Sequence, residues 1–153
     1  MREVNIADIE NRGIKNEFFN LLCERWMSFP IHKVLDISLV YLGQGTVGIR
    51  MQAGGEFTTI RERLHGGIGA TLADTAMGWA IITLGRTCVT VDMYINYIAP
   101  IFAQDVIIAE GNIVHSGKRT VVAEATLLNQ KGELVAKSRG TFSLKKGNLQ
   151  ELE

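Results

Sequence analysis

One apolar stretch, residues 64–85 (LHGGIGATLADTAMGWAIITLG), constrains the fold of this 153-residue chain more than any other. It opens on His65-Gly66-Gly67 and holds a single acidic residue, Asp74. Leu72, Ala76, Trp79, Ile82 and their neighbours leave almost no polar face, so a helix built from it must be enclosed on all sides. Gly69, Ala70, Ala73, Ala76, Gly78 and Ala80 would let strands approach its axis closely. The stretch is also long enough for a membrane span. Asp74 near its middle would then cost roughly 2.5–3.5 kcal/mol on insertion scales, and amphipathic strands flank it. A buried central helix is the better reading.

Around that helix the patterning alternates. Residues 16–29 form an amphipathic helix, with Phe19, Leu22, Cys23 and Trp26 at helical spacing and Pro30 ending it. Residues 35–42 and 46–53 alternate with a period of two across the turn Gly43-Gln44-Gly45, which predicts a hairpin. A short extended piece, 57–60, and the charged connector Arg61-Glu62-Arg63 lead into the helix. Residues 87–98 place Val89, Val91, Met93, Ile95 and Tyr97 on one face and Thr90, Asp92 and Asn96 on the other. Strands at 105–114, 120–128 and 133–145 follow, separated by turns at 115–118 and 129–132. The order predicts an α+β fold, a mostly antiparallel sheet wrapped around one long helix.

The length fits one domain, 1–153, with a core over about 28–145 and a short tail from Gly147. Lys plus Arg equals Asp plus Glu, 16 each, which gives no electrostatic footprint for nucleic acid or an anionic membrane. Cys23 and Cys88 stand far apart with no CxxC pairing and read as buried free thiols. With no apolar leader in MREVNIADIENRG, they predict a cytoplasmic protein. His32 and His115 lack metal-ligand spacing, so no metal site is expected.

The chemistry converges on the helix start. The first backbone N–H groups of a helix have no intrahelical partner, and glycine lets a ligand approach them. At Gly66 they would attract an oxygen gaining negative charge, as an oxyanion hole does. A tight turn that needs glycine only for packing fits the tripeptide equally. Asp74 is either a base or nucleophile, or a structural partner of Thr71 or an arginine. It lies eight residues beyond Gly66, about 12 Å along a helix axis. One carbonyl cannot touch both groups of one helix at that separation. If both act on one substrate, Asp74 comes from a second copy, and two antiparallel helices would complete two shared sites in a homodimer.

The run HGGIGATLADTA resembles the hotdog-fold acyl-CoA thioesterases of the PaaI type, whose motif is HGG, six residues, then Asp within a helix. The similarity continues through Val89-Thr90-Val91-Asp92-Met93 with Tyr97 and Pro100, through Gly117-Lys118-Arg119-Thr120, and to Gly140-Thr141-Phe142. It implies a sheet wrapped round a central helix, paired back to back in a dimer and often dimerised again into a homotetramer. It implies hydrolysis of an acyl-CoA to acid and free CoA, without a cofactor. The Gly66 amide would polarise the carbonyl, His65 would set that loop, the partner's Asp74 would activate water or attack directly, and Thr90 would orient the water. Gly67, Thr59, Val89 and Val91 would contact substrate, and Gly117, Lys118 and Arg119 would meet the CoA phosphates, with Arg61, Arg63 and Arg86 as further phosphate candidates. One position departs: members commonly carry Asn six residues before the His, where Thr59 stands here.

The acyl group expected is small and aromatic, or short to medium in chain length. A non-catalytic acyl-CoA-binding protein of the same fold is the alternative. A hydratase acting on enoyl-CoA fits less well, because neither Asp74 nor His65 has the Asp–His pair five residues apart that such members resemble.

Overall fold

The computed structural model describes residues 5–147 and Leu149. In chain order it contains β1 (Glu10–Arg12), α1 (Asn16–Ser28), α2 (Pro30–Val34), β2 (Ser38–Gly43), β3 (Thr46–Gln52), α3 (Gly66–Ile82), β4 (Cys88–Tyr97), β5 (Val106–Ser116), β6 (Thr120–Asn129) and β7 (Leu134–Leu144). The strands form a single sheet in the order β1-β2-β3-β5-β6-β7-β4. Every neighbouring pair is antiparallel except β1–β2.

The sheet curls around α3, which packs on β3, β4, β5, β6 and β7. One side of the helix is fully buried, at Leu72, Ala73, Ala76, Met77, Ala80 and Ile81, while Ile68, Thr71, Thr75, Gly78 and Ile82 form a half-exposed stripe along the other. Approach is closest at β5, where a Cβ on Gly111 would sit 2.2 Å from the Ala76 carbonyl oxygen. Only a glycine opposite an alanine lets strand and helix backbones come that near. The helix stops at Thr83, whose hydroxyl donates to the Ala80 carbonyl and accepts from the Gly45 N–H of the β2–β3 turn at 2.8 Å.

Helix α1 covers the C-terminal end of α3. Its buried face is Phe19, Leu22, Cys23 and Trp26, at the spacing that the sequence predicts. Trp26 meets Trp79 edge-on at 4.8 Å and stacks on His32 at 3.7 Å. Pro30 ends α1 as expected and then opens α2, because the first helical position needs no N–H donor. Cys23 is buried and Cys88 half-buried, both as free thiols. Among the described residues no helix is long and apolar enough to cross a membrane.

The structure corrects two local readings and adds two elements that the sequence pattern does not show. The extended piece at 57–60 is instead bracketed by two short 3-10 turns, Gly55–Phe57 and Ile60–Glu62, tied by Phe57 N–H to the Gly54 carbonyl. Strand β1 is polar and carries no alternation; parallel pairing with Tyr41–Gly43 makes it a strand, and Arg12 lies over the Tyr41 ring at 3.5 Å. Helix α2, at five residues, is too short to show a period. Strand β4 carries a bulge between Thr90 and Asp92, which reverses the facing of every residue beyond it. The tail expected at 147–153 lies outside the described residues apart from Gly147 and Leu149.

Candidate active site

His65 is the N-cap of α3, in extended conformation, and its Nδ1 accepts the Gly67 N–H at 2.9 Å. A ring nitrogen that accepts carries no proton, so the imidazole proton is on Nε2. The Gly67 N–H, expected to contact substrate, is thereby occupied by His65. The Gly66 N–H has no partner among the described residues. The residue is itself exposed. It borders a cleft of about 400 Å³ lined by Arg63, Leu64, His65, Gly66, Tyr97 and Pro100, among others.

Asp74 sits two turns further along the same unbroken helix, half-buried. Its Oδ1 accepts from the Thr90 hydroxyl at 2.6 Å. The partner is therefore neither Thr71, whose hydroxyl donates to the Gly67 carbonyl, nor an arginine: the ion pairs among the described residues lie elsewhere. The Cys88 thiol is pushed up to about 11, first by burial and then by the charge on Asp74, which places that carboxylate beside the start of β4.

Strand β4 runs antiparallel to α3, so its two ends meet the two ends of the site. Thr90 faces Asp74, and the Tyr97 hydroxyl donates to the Gly66 carbonyl. Tyr97 lies seven positions beyond Thr90, an odd spacing that a regular strand would send to opposite faces. The bulge restores both to the helix side: Thr90 pairs with buried Phe142 and Tyr97 with buried Ala136. The single face drawn from Val89 through Tyr97 is thus broken at the bulge. Val89 pairs with Ser143 on the side away from α3 and is 45% exposed, while Val91 is the extra residue and 60% exposed. Neither meets Asp74 in this chain.

The other expected contacts fall into two groups. Thr59 lies in the loop before His65 and donates both its N–H, at 2.7 Å, and its hydroxyl, at 3.2 Å, to the Arg63 carbonyl. Gly117, Lys118 and Arg119 form the β5–β6 turn, held by Arg86, which donates to Ser116 Oγ at 2.7 Å and the Gly117 carbonyl at 2.9 Å. Lys118, Arg119, Arg86, Lys145 and Lys146 line a second cleft of about 510 Å³. Leu144 pairs with Cys88 and donates to the Arg119 carbonyl, so five cations gather at the Asp74 end of the sheet. Sequence reading missed Lys145 and Lys146, which follow the last strand in sequence, and Tyr97 as a neighbour of Gly66. Arg61 and Arg63 lie at the opposite, Gly66 end.

A long helix enclosed by a sheet in this order, with a free N–H at its capped start, is the hotdog thioesterase architecture. Residues 62–136 match the Thioesterase superfamily. The acyl-coenzyme A thioesterase PaaI of Escherichia coli is 31% identical over 108 residues, 71% of this chain and 77% of that protein. Acyl-coenzyme A thioesterase 13 of Homo sapiens is 32% identical over 111 residues, 71% of this chain and 79% of that protein. In three dimensions the E. coli PaaI protein superposes with a TM-score of 0.84 at 25% identity, over 89% of this chain and 99% of its own. A hypothetical thioesterase with coenzyme A from Streptococcus pneumoniae superposes at 0.69 and 28%, over 71% and 85%. The chain belongs to the hotdog-fold thioesterases of the PaaI type, and is a thioester hydrolase.

Proposed function

We propose that this protein is a single-domain, cytoplasmic acyl-CoA thioesterase whose active site is shared between two copies of the chain. The observation that carries this reading is the placement of Gly66 and Asp74 on one unbroken helix, about 12 Å apart. The free Gly66 N–H receives the thioester carbonyl oxygen, with the His65 Nε2–H at the rim of the same cleft. Asp74 of the neighbouring copy, held by Thr90, takes a proton from water as the oxygen attacks the carbonyl carbon. The oxyanion that forms is stabilised at Gly66. It collapses with loss of the CoA sulfur, which receives the proton. Direct attack by the Asp74 carboxylate is the other route through the same geometry.

A second copy has a ready docking edge. Strand β4 ends the sheet, spans ten residues and leaves one edge unpaired among the described residues. Long unpaired edges favour strand pairing with another chain. The outer face near exposed Tyr94 offers a surface for a further pairing into a homotetramer. The five-cation cleft takes the CoA phosphates, on the chain that supplies Asp74. The acyl group is small and aromatic, or of short to medium chain length. Free thiols at Cys23 and Cys88 fit a reducing compartment.

The test is thiol release from a panel of aromatic, short and long acyl-CoAs, run on the native protein and on Asp74→Ala. Turnover of at least one member that vanishes in the variant supports the reading. Unchanged hydrolysis by Asp74→Ala removes that carboxylate from the reaction.

A further inference from the structure

The peptide group joining Gly66 to Gly67 is held at both ends. Its carbonyl accepts from the Tyr97 hydroxyl, and its N–H donates to His65 Nδ1 at 2.9 Å. We propose that Tyr97 is a positioning residue for thioester hydrolysis: acting through this one peptide group, it fixes the His65 imidazole with Nε2–H outward and steadies the Gly66 N–H beside it. The inference rests on the reading of Gly66 and His65 as the groups that receive the carbonyl.

Hydrogen bonds in series polarise one another, so a donor on the Gly66 oxygen strengthens the Gly67 N–H as a donor to His65. A stronger bond into Nδ1 favours the tautomer that keeps Nδ1 bare. The need for a clamp follows from the sequence, since two consecutive glycines leave this backbone with more freedom than any other pair. The Tyr97 ring supplies the missing restraint: a Cβ at Gly66 or at Gly69 would come within 3.3 Å of it. Burial also raises the Tyr97 pKa above its usual value, so the hydroxyl keeps its proton and remains a donor across neutral pH.

The bulge in β4 makes this contact possible. Without the extra residue at Val91, Tyr97 would stand on the outer face with the side chains that alternate with Thr90. One irregularity therefore serves both ends of the site, because Thr90 lies before it and Tyr97 beyond it.

Tyr97→Phe is the discriminating variant, since it keeps the ring on Gly66 and Gly69 and deletes only the hydroxyl. The measurements are kcat and KM for an acyl-CoA that the native protein cleaves, the melting temperature, and the 15N chemical shifts of the His65 ring. The expected kcat falls about tenfold while KM holds, and the melting temperature drops by no more than the few degrees that one neutral hydrogen bond contributes. The His65 nitrogens should move from a pattern with proton on Nε2 towards tautomer averaging. Unmoved 15N shifts overturn the proposal whatever happens to kcat, and so does native kcat in a protein that Asp74→Asn inactivates. Should Asp74→Asn leave turnover intact, the shared-site reading fails by itself, and the 15N comparison still decides the role of Tyr97.

Discussion

The Thr90 hydroxyl donates to Asp74 Oδ1 at 2.6 Å, joining the start of β4 to the middle of the central helix. This bond aims the carboxylate and leaves Oδ2 available to a water. Asp74→Asn keeps the shape and removes the charge, and is expected to lower kcat by about 10²–10⁴, the range of a general base. Thr90→Val deletes the aiming bond alone and should cost about tenfold. Steady-state thiol release checks both, with circular dichroism confirming the fold. A Thr90→Val enzyme as slow as Asp74→Asn would make Thr90 more than an orienting group.

The cationic cleft gives a prediction in KM rather than kcat. Lys145→Ala with Lys146→Ala should raise KM for an acyl-CoA roughly tenfold, since hydrogen bonds to charged groups contribute about 1.5–3 kcal/mol. The same acyl group on N-acetylcysteamine, which carries no phosphate, should show no change. Equal effects on both substrates would place the lysines outside phosphate recognition.

His32 sets an acid limit on stability. It is 4% exposed, stacked on Trp26, and its Nδ1–H donates to the Trp26 carbonyl at 3.0 Å. Burial lowers its pKa below the usual 6.5, against a smaller opposing effect of that hydrogen bond. The unfolded chain therefore binds a proton before the folded one does, and stability is lost as pH falls below about 6.5. Melting curves between pH 7.5 and 5 should show the decline. His32→Phe, which keeps a stacked ring, should flatten the part due to this residue; an identical slope in the variant would assign it elsewhere.

Gly111→Ala tests how closely sheet and helix approach. The new methyl group would meet the Ala76 carbonyl at 2.2 Å, and backbone cannot rotate away as a side chain can. The strand must lift from α3, at a cost of at least the 1–3 kcal/mol typical of overpacking. Chemical denaturation measures it. A loss below about 0.5 kcal/mol, the scale of ordinary surface changes, would mean that β5 slides freely over the helix.

What the sequence made legible follows from how strongly each segment's pattern depends on distant partners. The central helix could be read because the residues around Asp74 are almost all apolar or small, a pattern that does not depend on which strands pack on them. The hairpin and the three long final strands were legible from alternation and turn chemistry, to within a few residues at each end. The bulge at Val91 was not: nothing in TCVTVDMYINY distinguishes an extra residue from a regular one, because the irregularity lies in the pairing with β7. That single ambiguity grouped Tyr97 with Val89 and Val91 and set Thr90 on the opposite face, so the two residues that meet the helix were read apart. Strand β1 escaped notice because Glu10, Asn11 and Arg12 carry no pattern of their own. Lys145 and Lys146 became part of the basic cleft only when β7 came to lie beside the β5–β6 turn.

The most direct measurement is subunit mixing between two variants that each remove one half of the proposed shared site. Asp74→Asn removes the proposed catalytic carboxylate. Gly66→Pro removes the N–H at a first helical position that accepts proline's backbone, after a His65 already extended at φ −60°, ψ 131°; its Cβ meets the Tyr97 ring at 3.3 Å, so circular dichroism accompanies the assay to confirm that the variant folds. Each variant alone should be nearly inactive. After subunit exchange in equal amounts, half the dimers are mixed and each of those holds one intact site, so activity should return to about a quarter of native, as two-fold symmetry requires. A mixture no more active than its two components, with exchange verified by mass spectrometry, would contradict a site shared between chains.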